Sequence, residues 1–171
     1  MANNSDISND FTIIFDGNNL NEWQMAGEGK FVALKEEKRK EEERDIILQP
    51  EGGMGLLWYA KKMYHNFILR LDWKTHNKAD NSGVFVRFPY PDNDPMIAVN
   101  YSYEIQIDDF GIPDGNPIHQ TGSIYGFASP KQIAFLVGTR LILIVQIIRV
   151  ATQAITPAGH LFASFHKMQN R

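Results

Sequence analysis

The 171-residue chain contains no cysteine, which excludes a disulfide framework, a thiolate metal site and a thiol nucleophile. Acidic residues stop at Asp114: 12 basic and 20 acidic residues lie up to that point, and five basic and no acidic residues follow it. Such asymmetry is a usual sign of a nucleic-acid-binding tail. Here the five, Lys131, Arg140, Arg149, Lys167 and Arg171, are scattered and form no phosphate-tracking stripe, so no nucleic-acid partner is expected. No apolar run reaches the roughly 20 residues that cross a bilayer, and no membrane partner is expected. Met1 to Asp10 lacks the basic and apolar regions of a secretory signal, so the chain as written is expected in the cytoplasm. The five histidines show no metal-ligand spacing of the H-x-x-x-H kind, and no metal site is expected from them.

What is present suits one two-layer domain. The apolar fraction is 43% and the charged fraction 22%, both ordinary for a globular protein. Residues 1–10 read as a disordered leader. Short apolar or alternating segments then recur between Gly, Asn, Asp and Pro turns. They are Phe11–Phe15, Phe31–Leu34, Ile46–Leu48, Leu56–Tyr59, Asn66–Lys74, Ser82–Phe88, Asn100–Asp109 and Thr121–Tyr125. That pattern predicts an all-β sandwich or barrel. Lys35 to Asp45 is a run of alternating charge with no apolar face; it has nothing to bury and reads as a solvated helix or mobile insertion.

One strand stands out. In Asn100 to Asp109, Tyr103, Ile105 and Ile107 fall on one face and Glu104, Gln106 and Asp108 on the other. Same-face residues repeat about every 6.5–7 Å, so two carboxylates and an amide form a row about as long as a sugar unit. The plainer alternative is the polar outer face of an antiparallel sheet.

Five segments occur in a telling order. They are Phe15-Asp16-Gly17, Leu56-Leu57-Trp58-Tyr59, Asp80-Asn81-Ser82-Gly83-Val84-Phe85-Val86-Arg87, Tyr103-Glu104-Ile105-Gln106-Ile107-Asp108 and Thr121-Gly122-Ser123-Ile124-Tyr125-Gly126. Together they resemble the 3-keto-disaccharide hydrolase domain, over about residues 11–138. The resemblance implies a concanavalin A-like jelly roll of two antiparallel sheets and a small carbohydrate substrate bearing a 3-keto group. Past Gly138 the family's Trp-Asn segment, Asn-Gly hairpin and closing strand are not found. Instead Leu141 to Ile148 is almost unbroken apolar sequence, readable as a buried strand or as exposed, aggregation-prone β-sequence. The expectation for 139–171 is an atypical segment arising from a shifted reading frame, with closing strands missing.

Within this frame Glu104 and Asp108 are the paired carboxylates of glycosidic chemistry, although about 13 Å of strand separates them. A 3-keto group would acidify the C2 proton, so one carboxylate could serve as general base, with elimination and rehydration competing against direct hydrolysis. Arg87 is assigned to bind sugar oxygens or to hold Glu104 ionised, against a plain cross-strand ion pair. Gln106 positions and polarises the substrate. Asn81 either bonds a sugar hydroxyl or makes the turn before its strand. Of Trp58 and Tyr59 only one can face the cleft, and Trp58 is placed with the substrate. His119, in a loop, is a candidate acid/base, and Tyr125 completes the binding set. No cofactor is expected. Calcium is the one candidate, through Asp108, Asp109, Asp114 and Asn116, but their turn chemistry explains that loop without it. Two other readings share the fold: a carbohydrate-binding module without turnover, and an inactive remnant of the enzyme.

Overall fold

A computed structural model describes residues 11–17, 19–36, 45–131, 141–147 and 160–161. The leader 1–10 and the middle of the charged run, 37–44, lie outside the described residues. The strands are β1 (Trp23–Gly27), β2 (Lys30–Glu36), β3 (Asp45–Glu51), β4 (Gly55–Tyr59), β5 (Phe67–Trp73), β6 (Asn81–Phe88), β7 (Tyr103–Asp108), β8 (Leu141–Ile147) and β9 (His160–Leu161). They pair antiparallel as β1-β4, β2-β3, β5-β8 and β7-β6-β9. The chain is an all-β sandwich without a closed barrel. The only α-helix among the described residues, α1 (Met96–Tyr101), is little more than a turn long.

Periodicity explains the clearest elements. In β5, Phe67, Leu69, Leu71 and Trp73 turn inward, while Ile68, Arg70 and Asp72 are exposed. In β4 all five residues, Gly55-Leu56-Leu57-Trp58-Tyr59, are buried. This strand is covered on both faces, which is why it reads as an unbroken apolar run. Its glycine answers a close approach: a Cβ on Gly55 would sit 2.9 Å from Gly29 Cα. The run Leu141–Ile147 forms β8, paired with all seven residues of β5 from Trp73↔Leu141 to Phe67↔Ile147.

The core divides across β6. Phe85 and Phe88 pack with Ala26, Leu56, Trp58 and Ala98 of α1. Val84 and Val86 pack on Leu69, with Ile14, Tyr64, Phe67, Leu71 and Ile105 around them. Trp58, Phe85 and Phe88 are the largest fully buried side chains, each contributing roughly 1.5–3 kcal/mol by leaving water.

Four local readings of the sequence are revised. Thr121–Tyr125 forms no strand but a run of turns with an isolated bridge residue at Ile124. Phe11–Phe15 forms no strand; Ile14 instead accepts a 2.9 Å hydrogen bond from the Trp23 indole and packs on the second cluster. Asn100 and Tyr101 close α1, so the strand begins at Tyr103. Strict alternation in β6 would put Val84, Val86 and Phe88 on one face with Gly83, Phe85 and Arg87 on the other. A register shift between Val86 and Phe88, with Arg87 at φ 72°, breaks that alternation. Phe88 joins Phe85, while the Arg87 guanidinium stands over Phe67, on the Val84/Val86 side. One bulged residue has exchanged two side chains between faces.

Candidate active site

The register of three neighbouring segments builds a polar floor. Asn81, Gly83 and Phe85 of β6 lie opposite Asp108, Gln106 and Glu104 of β7. On the other side of β7, Ile124 bridges Ile105, with Gln106 N donating to Ser123 O (3.0 Å) and Tyr125 N to Glu104 O (2.9 Å). Opposed residues share a face, so Tyr125 and Ser123 extend the rows of Glu104 and Gln106. Thr121 closes the third row: its Oγ1 accepts from Asp108 N at 2.9 Å and donates to Asp109 Oδ1 at 3.2 Å. Ser123 is fully buried, and its Oγ has no hydrogen-bond partner among the described residues.

Glu104 is the carboxyl of this floor whose proton affinity is most displaced. Burial, and after it the charge of Asp108, pushes its carboxyl up to about 8, so the proton affinity sits near neutrality as acid–base catalysis requires. The side chain lies over Gly83, where a Cβ would meet Glu104 Oε1 at 2.0 Å. The Gln106 amide is best satisfied with its nitrogen donating to Ser82 O (2.9 Å) and Glu104 Oε1 (3.0 Å). The reverse orientation offers a single 3.4 Å contact with Asn81 Oδ1, so the first is the sound assignment. Burial, and then the Glu104 charge, raises the Tyr125 phenol.

Asp108 has a different task. Its Oδ1 accepts from Phe110 N (2.8 Å) and Gly111 N (3.1 Å), and its Oδ2 from Ile112 N (2.9 Å) and Asn81 Nδ2 (3.1 Å). Four donors on a carboxylate that is 1% exposed leave it no free lone pair facing a substrate. It is the knot that ties the loop after β7 to the floor. The expected Glu104/Asp108 pair therefore divides into one carboxyl with a raised proton affinity and one carboxylate saturated by four donors. Asn81 belongs to the same knot, as a donor to Asp108.

The loop held by Asp108 carries the second acid–base candidate. His119 Nδ1 lies 2.8 Å from Asp114 Oδ1, and the imidazole stacks at 4.7 Å on the Tyr125 ring. The bond from His119, and after it the amide of Asn116, holds Asp114 below the ordinary carboxylate range. Glu104, Tyr125 and His119 are thus contiguous: the first two through the sheet, the last two through their rings.

Two residues expected at the substrate are placed elsewhere. Arg87 donates to the carbonyls of Tyr64 (3.4 Å) and His65, on the far side of the bulge from Glu104. Trp58 is 2% exposed inside the core against Phe85, and its strand neighbour Tyr59 is buried too, donating to Glu22 at 2.8 Å. Of the oxygens considered for calcium, those of Asp108 are engaged as above, Asp109 Oδ1 by Thr121, Asp114 Oδ1 by Asn116 N and His119, and Asn116 Oδ1 by Ile118 N. Asp109 Oδ2 is buried with no hydrogen-bond partner among the described residues. Among the described residues no group of three or more His, Asp or Glu could hold a metal ion, and no helix is long and apolar enough to cross a membrane. Thr121 and Ser123 were not singled out from sequence as site residues, and Asp114 only as a calcium candidate, not as the partner of His119. The only available signal for Ser123 was its place beside Tyr125 in an expected strand, and loop residues such as Asp114 carry no periodicity.

A family model described as the 3-keto-alpha-glucoside-1,2-lyase-like domain matches residues 10–156. No curated protein and no solved structure matches the chain.

Proposed function

The chain belongs to the 3-keto-alpha-glucoside-1,2-lyase-like family, and from that premise we propose that it cleaves the glycosidic bond of 3-keto-glucosides by elimination, with Glu104 as the base. The observation that carries this is a half-buried carboxyl raised toward neutral proton affinity, beside a second carboxylate whose lone pairs are all taken. A two-carboxylate glycosidase needs both groups free to work; an elimination needs one base and a way to protonate the leaving oxygen.

The 3-keto group makes the substrate's C2 proton acidic. Glu104 takes that proton, and the C2–H electron pair passes into an enolate conjugated with the C3 carbonyl. The C1–O bond then breaks as C1=C2 forms, and the departing alkoxide takes a proton from His119, whose ring Asp114 orients. Addition of water across C1=C2 returns a 3-keto sugar, so the net result is hydrolysis. Tyr125 flanks Glu104 and is assigned to substrate oxygens; Gln106, 3% exposed and with its amide nitrogen donating to Ser82 O and Glu104 Oε1, is assigned to hold the base.

The test compares a 3-keto-glucoside with its unoxidised parent in deuterated water. Release of the keto sugar with deuterium at C2, absent for the parent and lost in Glu104→Gln, is expected. Release without C2 deuterium would transfer the reaction to direct hydrolysis. Binding without release would leave a carbohydrate-binding module.

A further inference from the structure

Gly83 is an unusual residue to find where it stands. It lies in the interior of β6, buried, opposite Gln106, and a glycine inside a strand costs backbone entropy and contributes no packing. Its φ is not in the left-handed region that favours glycine, unlike those of Gly17, Gly27 and Gly122. The backbone there would accept any residue. What a side chain could not find is space. A Cβ would meet Glu104 Oε1 at 2.0 Å, Glu104 Cγ at 2.6 Å and Glu104 Cδ at 2.7 Å, and these are the three nearest atoms. All three belong to one neighbour, and that neighbour is the candidate base.

We infer that Gly83 is a positioning residue: its bare Cα is the seat on which the Glu104 side chain lies flat, holding the carboxyl against the floor and within reach of the Gln106 amide. This rests on the reading of Glu104 as the base. Any side chain at position 83 lifts the carboxyl off the sheet. The lifted group gains water and loses the Gln106 donor, and so loses both its alignment and its unusual proton affinity.

Two measurements test it together. In Gly83→Ala, the Glu104 carboxyl is followed by carbon-13 NMR, assigned by its absence in Glu104→Gln. Its midpoint should fall from about 8 toward the ordinary glutamate value of about 4.3, and 3-keto-glucoside turnover should fall on the order of a hundredfold, in kcat more than in KM. The second measurement is thermal unfolding of Gly83→Ala with and without Glu104→Ala. Once Glu104 is truncated the obstruction is gone, so the alanine at 83 should leave the melting temperature of that background unchanged. An unmoved Glu104 midpoint in folded Gly83→Ala overturns the inference. So does an equal fall in melting temperature in both backgrounds, which would make the glycine a backbone requirement. Should Gly83→Ala alone fail to fold, the double variant still decides: folding with Glu104 truncated supports the seat, and failure to fold overturns it. If the unaltered protein turns over no keto-glucoside, the proposed reaction falls, while titration and melting still judge Gly83.

Discussion

Replacing Asp108 with asparagine separates the structural carboxylate from the reactive one. The side chain keeps its size and stays 1% exposed, but one of its two acceptor oxygens becomes an NH2. If the amide oxygen takes the Oδ1 position, it keeps Phe110 N and Gly111 N, and the nitrogen then faces two donors, Ile112 N and Asn81 Nδ2. The other orientation loses the other pair. Either way two hydrogen bonds to a charged acceptor disappear, at roughly 1.5–3 kcal/mol each, so about 3–6 kcal/mol in all. Against a total stability of about 5–15 kcal/mol, the variant should be marginal. Urea unfolding should show the loss as a lower midpoint with an unchanged slope, with Glu28→Gln, an exposed carboxylate, as control within about 0.5 kcal/mol of the unaltered protein. A second readout follows from charge: Asp108 helps to raise Glu104, so where the variant remains folded the Glu104 midpoint must move down. A loss below about 1 kcal/mol with Glu104 unmoved would refute the four-donor knot and return Asp108 to the list of catalytic carboxylates.

Four further outcomes are expected. Turnover by the unaltered protein should rise with pH through a midpoint near 8 and level off only above it, because the base must be ionised and burial holds its proton to that point; a falling limb there would make Glu104 the acid. Glu104→Gln should lower kcat by about 10²–10⁴. The same variant should flatten the pH dependence of stability. The folded-state affinity of Glu104 lies above its unfolded value, so its contribution is full below about 4.3 and is lost as pH rises through about 8; chemical unfolding at several pH values shows this. Arg87→Ala should lower the melting temperature by removing the contacts to Tyr64 and His65 while leaving the pH midpoint of turnover in place. A shifted midpoint would put the guanidinium back beside Glu104.

Much of the architecture was readable from residues. The alternation of Phe67, Leu69, Leu71 and Trp73 specifies β5, and the apolar run from Gly55 to Tyr59 specifies a strand covered on both sides. The row Glu104, Gln106, Asp108 is a consequence of the period of two and stands on one face as expected. Less was readable where local propensity yields to context. The apolar Phe11–Phe15 has strand composition but forms no strand: Phe11 and Ile13 are exposed, and Ile14 accepts from the Trp23 indole and packs on the second cluster. Met96–Tyr101 is too short for helical periodicity to show, and its reason for existing is the buried Ala98.

The amino-acid order by itself determined most of the strands, the inward face of β5 and the identity of the polar row, because side-chain alternation follows from covalent geometry. It could not assign work within that row. Whether a carboxylate is a base or a knot depends on how many donors reach it, and the donors to Asp108 come from Asn81, 27 residues away, and from a loop folded back on it. Which face Arg87 takes depended on one bulged residue at positive φ. The room for Glu104 came from a glycine on the neighbouring strand. The loop donors to Asp108 are local, but Asn81 and Gly83 stand on β6, remote in the chain from the carboxyls of β7, and only packing brings those strands together.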